Sequence, residues 1–446
     1  MTRISYSRLP AKRVNITLPT SKSIAARALI LARCFDGVEL CRLPECDDTR
    51  ELARALDLLY NYMERQDRPS AFPDSPDADL PCFDLGSGGT SFRFFLALVA
   101  SIPGFYGVVD CSDALRRRPV APLLDSLRSA GADIVSIHGD DRPPFRVCGS
   151  RLHAGSIPLS TGVSSQFASA LMMASLKWTD RFFPSRDSAA VSSPYIEMTA
   201  RMISQFEEMS HSARVDHMPA RFNIEPDWSA ASYFYQFAML SPDVDICLGP
   251  VCPREESLQG DSACSEIFGR CGVVSRYNED GCLVIRGDGK KIKELRRLSR
   301  PMHIDMSATP DLVPALVMAL AYARIPVLIT GVGHLKYKEC DRLTALYEIL
   351  SKAGSHVSVT RDSITISEYA DAPGSPDSPD SLDSPDSLDS LLPVLSIDSY
   401  GDHRMVMCAA ITALRHDRVD ISDAEVVGKS FPGFFDQLSR LGFVVS

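Results

Sequence analysis

The residues best suited to chemistry in this sequence are cations that follow turns of small polar residues. Lys22 and Arg27 follow Thr20-Ser21, Arg93 follows Ser87-Gly88-Gly89-Thr90, and Arg404 follows Gly401-Asp402-His403. A turn of this kind entering a helix offers unpaired backbone N–H groups and a positive dipole end, and both attract anions. Further cations lie between the turns: Arg116-Arg117-Arg118-Pro119, Lys336-Tyr337-Lys338, Arg342, and Gly428-Lys429-Ser430. Any one of these clusters reads as a solvated face. Their recurrence beside equivalent turns points instead to ligands with several phosphate or carboxylate charges. Asp311 and Glu339 stand among them as carboxylates able to move protons. Judged alone, Asp311 also reads as a helix cap, and Glu339 as an i,i+3 partner of Arg342.

Several function classes are disfavoured. Gly428-Lys429-Ser430 imitates the end of a GxxxxGK[ST] phosphate loop, but the required first glycine falls at Asp423, so no ATP site is expected. The nine histidines show no HxxxH or HExxH spacing and the 13 cysteines no CxxC, so neither a metal nor a cofactor is expected. The scattered, odd-numbered cysteines suit reduced thiols and a cytoplasmic location. A formal net charge of −10 argues against nucleic acid or an anionic membrane as partner, though a local cationic site stays possible. No apolar run follows the basic residues of Met1 to Val14, so no signal peptide is read there. Leu312 to Ile329 is apolar but interrupted by Pro314, Arg324 and Pro326, which predicts a buried helix and then a strand rather than a membrane span.

The elements that position these residues repeat. Six times an extended segment turns through small polar residues into an amphipathic helix. The turns begin at Thr20, Ser87, Gly162, Asp227, Ser307 and Gly401. Most copies close with a second helix, a glycine and a β-branched strand, as at Leu127 to Ile134 and Leu350 to Val357. Six α/β units in 446 residues predict two domains of three units each. Gln66 to Pro81 and Asp371 to Ser390 break the pattern. Rich in Pro, Asp and Ser, they are expected to be solvated loops, the second a low-complexity insertion.

At Leu18-Pro19-Thr20-Ser21-Lys22-Ser23-Ile24-Ala25-Ala26-Arg27-Ala28-Leu29 the chain is similar to the LPxSKSxxxRAL opening of the 5-enolpyruvylshikimate-3-phosphate synthases. Leu85-Gly86-Ser87-Gly88-Gly89-Thr90-Ser91-Phe92-Arg93 resembles that family's LGNAGTxxR loop, and Arg118-Pro119, Val163-Ser164-Ser165-Gln166-Phe167 and Ser192-Ser193-Pro194-Tyr195-Ile196 resemble its next elements. Pro310-Asp311, Lys338-Glu339-Cys340-Asp341-Arg342, Asp402-His403-Arg404-Met405 and Lys429-Ser430-Phe431-Pro432 complete the set in order. The chain departs from the family at Ser87 (usually Asn), Phe94 (usually Pro) and His334 (usually Asn).

The resemblance implies two inverse α/β domains of three βαβαββ units each, with the active site in the cleft between them. One would hold residues 1–19 and 227–446, the other 20–226. It implies transfer of the enolpyruvyl group of phosphoenolpyruvate to shikimate 3-phosphate by a monomeric protein without cofactor. Shikimate 3-phosphate would be held by Lys22, Ser23, Arg27, Ser164, Ser165, Ser192, Tyr195, Asp311, His334 and Lys338, with Gln166 between the two substrates. Phosphoenolpyruvate would meet Lys22, Gly89, Arg118, Arg342, Arg404 and Lys429. Asp311 and Glu339, assisted by Lys22 and Lys338, would carry the proton transfers. The resemblance leaves two alternatives: the related UDP-N-acetylglucosamine enolpyruvyl transferase, whose loop cysteine is not recognisable here, and an inactive binder of anionic metabolites.

Overall fold

A computed structural model describes residues 1–7, 11–65, 80–155, 157, 165–184, 193–367 and 391–446. The chain divides into two compact units, Met1–Pro19 with Pro226–Ser446, and Thr20–Glu225. Segment 371–390 lies outside the described residues, as does 66–81 apart from Leu80 and Pro81.

One sheet plan recurs. In the first unit Met302–Asp305 pairs in parallel with Val327–Thr330. Ser363–Ile366 then runs antiparallel to both Val327–Thr330 and Val357–Val359. In the second unit Cys82–Asp84, Tyr106–Asp110, Phe145–Cys148 and Asp133–Ser136 take the same places with the same senses. Read along the chain, each is strand, helix, strand, helix and two strands, which is the expected βαβαββ order.

Two more sheets of the first unit follow the plan by using strands from the N-terminal segment. Arg13–Ile16 opens one, parallel to Asp245–Pro250. Thr2–Tyr6 fills the inner place of the other, antiparallel to Val419–Ile421 and Phe443–Val445. In the second unit Val38–Cys41 and Ala220–Asn223 form a parallel pair.

A helix follows each of the six turn sequences along the chain: Lys22–Leu31, Gly89–Ala100, Ser165–Ala174, Trp228–Leu240, Val313–Tyr322 and His403–Ala410, the turn residues 162–164 themselves lying outside the described residues. A helix that is apolar or small-sided all round must be buried all round. Accordingly every residue of Trp228–Leu240, Val313–Tyr322 and His403–Ala410 is buried, and these three helices pack on one another in the first unit. Lys22–Leu31, Gly89–Ala100 and Ser165–Ala174, buried over most of their length, pack on one another in the second.

The closing glycines work as the sequence implied. Gly131 and Gly354 take φ of +99° and +78°, a region that strains residues with a Cβ. The turn lets Ala132 N–H reach Leu127 O and Ser355 N–H reach Leu350 O, both at 2.9 Å. Leu312 to Ile329 folds as the helix Val313–Tyr322 and the strand Val327–Thr330. Among the described residues no helix is long and apolar enough to cross a membrane.

Candidate active site

In the first unit the acidic and basic residues singled out above converge. Asp311 lies in the short turn Pro310–Leu312 that leads into a buried helix. Its carboxylate receives Arg404 Nη2 at 2.9 Å and Arg342 Nη1 at 3.1 Å, with Lys338 Nζ at 3.5 Å. Burial alone would raise the pKa of Asp311. The charges of Arg404, Lys338 and Arg342 outweigh it and hold the group well below the ordinary carboxylate range. Arg342 also grips Asp402 with two prongs, Nε at 2.7 Å and Nη2 at 3.2 Å. Asp402 in turn accepts the Arg404 backbone N–H at 2.9 Å and so caps the helix His403–Ala410.

Glu339 does not pair with Arg342, and Asp311 does not cap its helix. Glu339 Oε2 instead lies 2.8 Å from Nδ1 of the buried His403. The reason is the backbone course: Arg342 opens its own helix and turns toward Asp402 and Asp311, leaving Glu339 on the preceding loop beside His403. Lys429 Nζ reaches Gly401 O at 3.1 Å, in the loop before the same cap. His334 lies in the turn Gly333–Tyr337. Burial, and then the charge of Lys338, push its pKa down to about 4, so its ring is neutral at pH 7. Its Nε2 is buried without a hydrogen-bond partner among the described residues.

Glu339, Asp402 and His403 bring ligand-type atoms within 4.8 Å of one another. Both Asp402 oxygens are already engaged by Arg342, and that guanidinium opposes a second cation there. The trio is therefore poorly suited to hold a metal ion.

The second unit carries the other cations at its helix starts. Lys22 opens the helix Lys22–Leu31 and is paired with Asp48 at 2.8 Å. Arg27, one turn on, is buried and donates to Thr199 Oγ1, Ser23 O, Ser169 Oγ and Tyr195 O. Arg93 is equally buried and donates to Gly89 O, Gln166 Oε1 and Pro119 O. Gln166 is fixed further by donating to Thr90 Oγ1 at 3.0 Å. Among the described residues neither Arg27 nor Arg93 has an acidic partner. Burial lowers Arg27 to about 10; burial and the nearby charge of Arg118 lower Arg93 to about 9. Buried cations left without a counter-charge are costly, and a bound anion relieves that cost.

Gly89 allows this crowding. A Cβ there would lie 2.7 Å from Arg118 Nη1 and 2.9 Å from Arg93 Nη1. Ser165 is buried at the start of its helix, and Ser23 and Tyr195 sit beside Arg27 through their carbonyls. Ser164 and Ser192 lie outside the described residues.

Sequence reading had assigned no role to Asp48, Thr199, Asp402 or His403, and had placed Arg93 only among the cations that follow the turns. Asp402 and His403 adjoin Arg404 in a motif already noticed, and Asp47-Asp48 open a helix where acids favour the dipole. Thr199 carried no signal, because its position on a long helix is chosen only by the approach of Arg27.

With this geometry in view, the chain was compared with known proteins. The sequence model of EPSP synthase (3-phosphoshikimate 1-carboxyvinyltransferase) matches residues 11–438. A 3-phosphoshikimate 1-carboxyvinyltransferase of Bacteroides fragilis is 32% identical over 440 residues, covering 97% of this chain and 96% of its own. One from Photobacterium profundum is 29% identical over 454 residues and covers 97% of both. Among solved structures, an EPSP synthase of Acinetobacter baumannii has the same fold, with a TM-score of 0.67, 21% identity and full coverage of both chains.

Proposed function

Because the chain belongs to the EPSP synthase family, we infer that it transfers the enolpyruvyl group of phosphoenolpyruvate to the 5-hydroxyl of shikimate 3-phosphate and releases phosphate. The reaction is a step toward chorismate and the aromatic amino acids. The observation that carries this reading to the site is Asp311, a carboxylate held among Arg404, Arg342 and Lys338.

Both substrates are polyanions, which suits the cations that each unit carries. Lys22, Gly89, Arg118, Arg342, Arg404 and Lys429 bind phosphoenolpyruvate, with Arg forks on its carboxylate and phosphate oxygens. Ser23, Arg27, Ser164, Ser165, Ser192, Tyr195 and His334 bind shikimate 3-phosphate, aided by Lys22, Asp311 and Lys338. Gln166 lies between the substrates.

The acceptor hydroxyl attacks C2 of phosphoenolpyruvate and loses its proton while C3 gains one. The tetrahedral adduct then loses phosphate as C3 gives that proton back. Asp311 orients or deprotonates the hydroxyl, and Glu339, backed by His403, handles the proton at C3. Alone, Asp311 is a weak base because three cations stabilise its charge. Substrate anions share those cations, raise the affinity of Asp311 for a proton, and make it a better base in the loaded enzyme. Lys22 and Lys338 assist by balancing charge.

We take the chain to act without cofactor, as a monomer in the cytoplasm. The reading is tested by following phosphate release from phosphoenolpyruvate with either shikimate 3-phosphate or UDP-N-acetylglucosamine as acceptor. Release with shikimate 3-phosphate alone is expected. Release with the UDP-sugar alone, or with neither, overturns it.

A further inference from the structure

We propose that Phe94 is a positioning residue for the acceptor substrate, because its ring face supports the guanidinium that receives shikimate 3-phosphate. The inference rests on the reading of Arg27 given above.

Arg27 is 2% exposed and has no acidic partner among the described residues. A guanidinium has five N–H donors. Four are engaged: Nε with Thr199 Oγ1 at 2.7 Å, Nη1 with Ser23 O at 2.8 Å, and Nη2 with Ser169 Oγ at 3.1 Å and Tyr195 O at 3.3 Å. One Nη1 N–H has no partner among the described residues. Hydroxyls and carbonyls hold the fork at its edges, within its own plane, and leave its two faces to other groups. Arg27 Cζ lies 5.2 Å from the centroid of the Phe94 ring and 5.9 Å from that of Tyr195.

A cation over an aromatic face is attracted by the ring quadrupole, and more strongly where water is excluded. Phe94 is 1% exposed, so this contact is dry. Where the family motif carries proline, no π face exists; this chain places one under its buried cation. Phe94 also follows Arg93 on the helix Gly89–Ala100. Arg93 holds Gly89 O, Gln166 Oε1 and Pro119 O, while Phe94 holds Arg27. Two consecutive residues thus reach toward the donor-binding and the acceptor-binding groups of one unit. Phe94 acts on the acceptor alone, through the fork plane of Arg27.

The test replaces Phe94 with phenylalanines bearing one, two and three ring fluorines, which weaken the quadrupole with little change of volume, and also makes Phe94→Leu. Affinity for shikimate 3-phosphate is measured by calorimetry, and KM is measured for both substrates. The expected result is a stepwise weakening with fluorine count. Loss of the π face in Phe94→Leu reaches about 3- to 30-fold for shikimate 3-phosphate, with KM for phosphoenolpyruvate within twofold of wild type. A flat fluorine series, or an equal rise in both KM values, overturns the proposal. Arg27→Gln separates the two layers. If it leaves shikimate 3-phosphate binding intact, the reading of Arg27 fails. If it weakens binding while the fluorine series stays flat, only the role of Phe94 fails. Should Phe94→Leu not fold, the fluorinated series decides alone.

Discussion

Arg342 and Asp402 form a two-pronged ion pair shielded from solvent, with contacts of 2.7 and 3.2 Å and side-chain exposures of 2% and 0%. The pair joins the loop carrying Glu339 to the turn carrying Arg404, and it leaves Arg342 Nη1 aimed at Asp311. It therefore fixes how three sequence-distant motifs meet.

Removing one partner of such a pair strands the other charge in the interior. Asp402→Asn is expected to lower unfolding free energy by about 3–5 kcal/mol. It should also raise KM for phosphoenolpyruvate, because Arg342 and the helix start at Arg404 both lose their anchor. Urea unfolding monitored by circular dichroism gives the first number and steady-state kinetics the second. A loss below about 1 kcal/mol would show that the pair is not the anchor described.

Glu339 and Asp311 differ in what holds them, so their amide variants are expected to differ. Glu339→Gln keeps an oxygen for His403 and should retain the wild-type Tm while kcat falls about 100-fold or more. Asp311→Asn removes the charge that three cations share, so both kcat and Tm should fall. Retention of more than about a tenth of kcat in both variants excludes them from proton transfer.

His334 gives a pH signature. Its pKa is about 4 in the fold against an ordinary 6.5. Between those values the unfolded chain binds a proton that the native state does not, so stability falls as pH drops through this window and levels off below it. From pH 7 to pH 5 the contribution is about 2 kcal/mol. Subtracting the profile of His334→Asn from that of wild type isolates it from Glu51, whose pKa is raised to about 7, chiefly by burial, and which acts in the opposite sense. Superimposable pH profiles for the two proteins would refute the assignment.

Gly89→Ala puts a methyl group against Arg118 and Arg93, and the guanidinium tips must give way by several tenths of an ångström. Because both are far ends of flexible side chains, the fold is expected to tolerate the change. KM for phosphoenolpyruvate should rise several-fold while binding of shikimate 3-phosphate, measured alone by calorimetry, stays near wild type. Equal losses for both substrates would mean that the change spreads through Gln166 instead.

The sequence by itself determined the repeat. Small polar turns, all-round apolar helices and closing glycines are local signals, each readable within a dozen residues, and they appear as the helices after Ser21, Gly88, Asp227 and Asp402 and as the left-handed Gly131 and Gly354. Residue type and order likewise marked Lys22, Arg27, Arg118, Asp311, Glu339, Arg342 and Arg404. Pairing was not local. That Arg342 would choose Asp402 and Asp311 over Glu339, that Glu339 would meet His403, and that Thr199 and Phe94 would surround Arg27 depend on segments tens to hundreds of residues apart. Only tertiary packing decided these, because a buried charge takes whichever partner the fold brings within reach, and sequence spacing sets that distance only inside a single helix or turn.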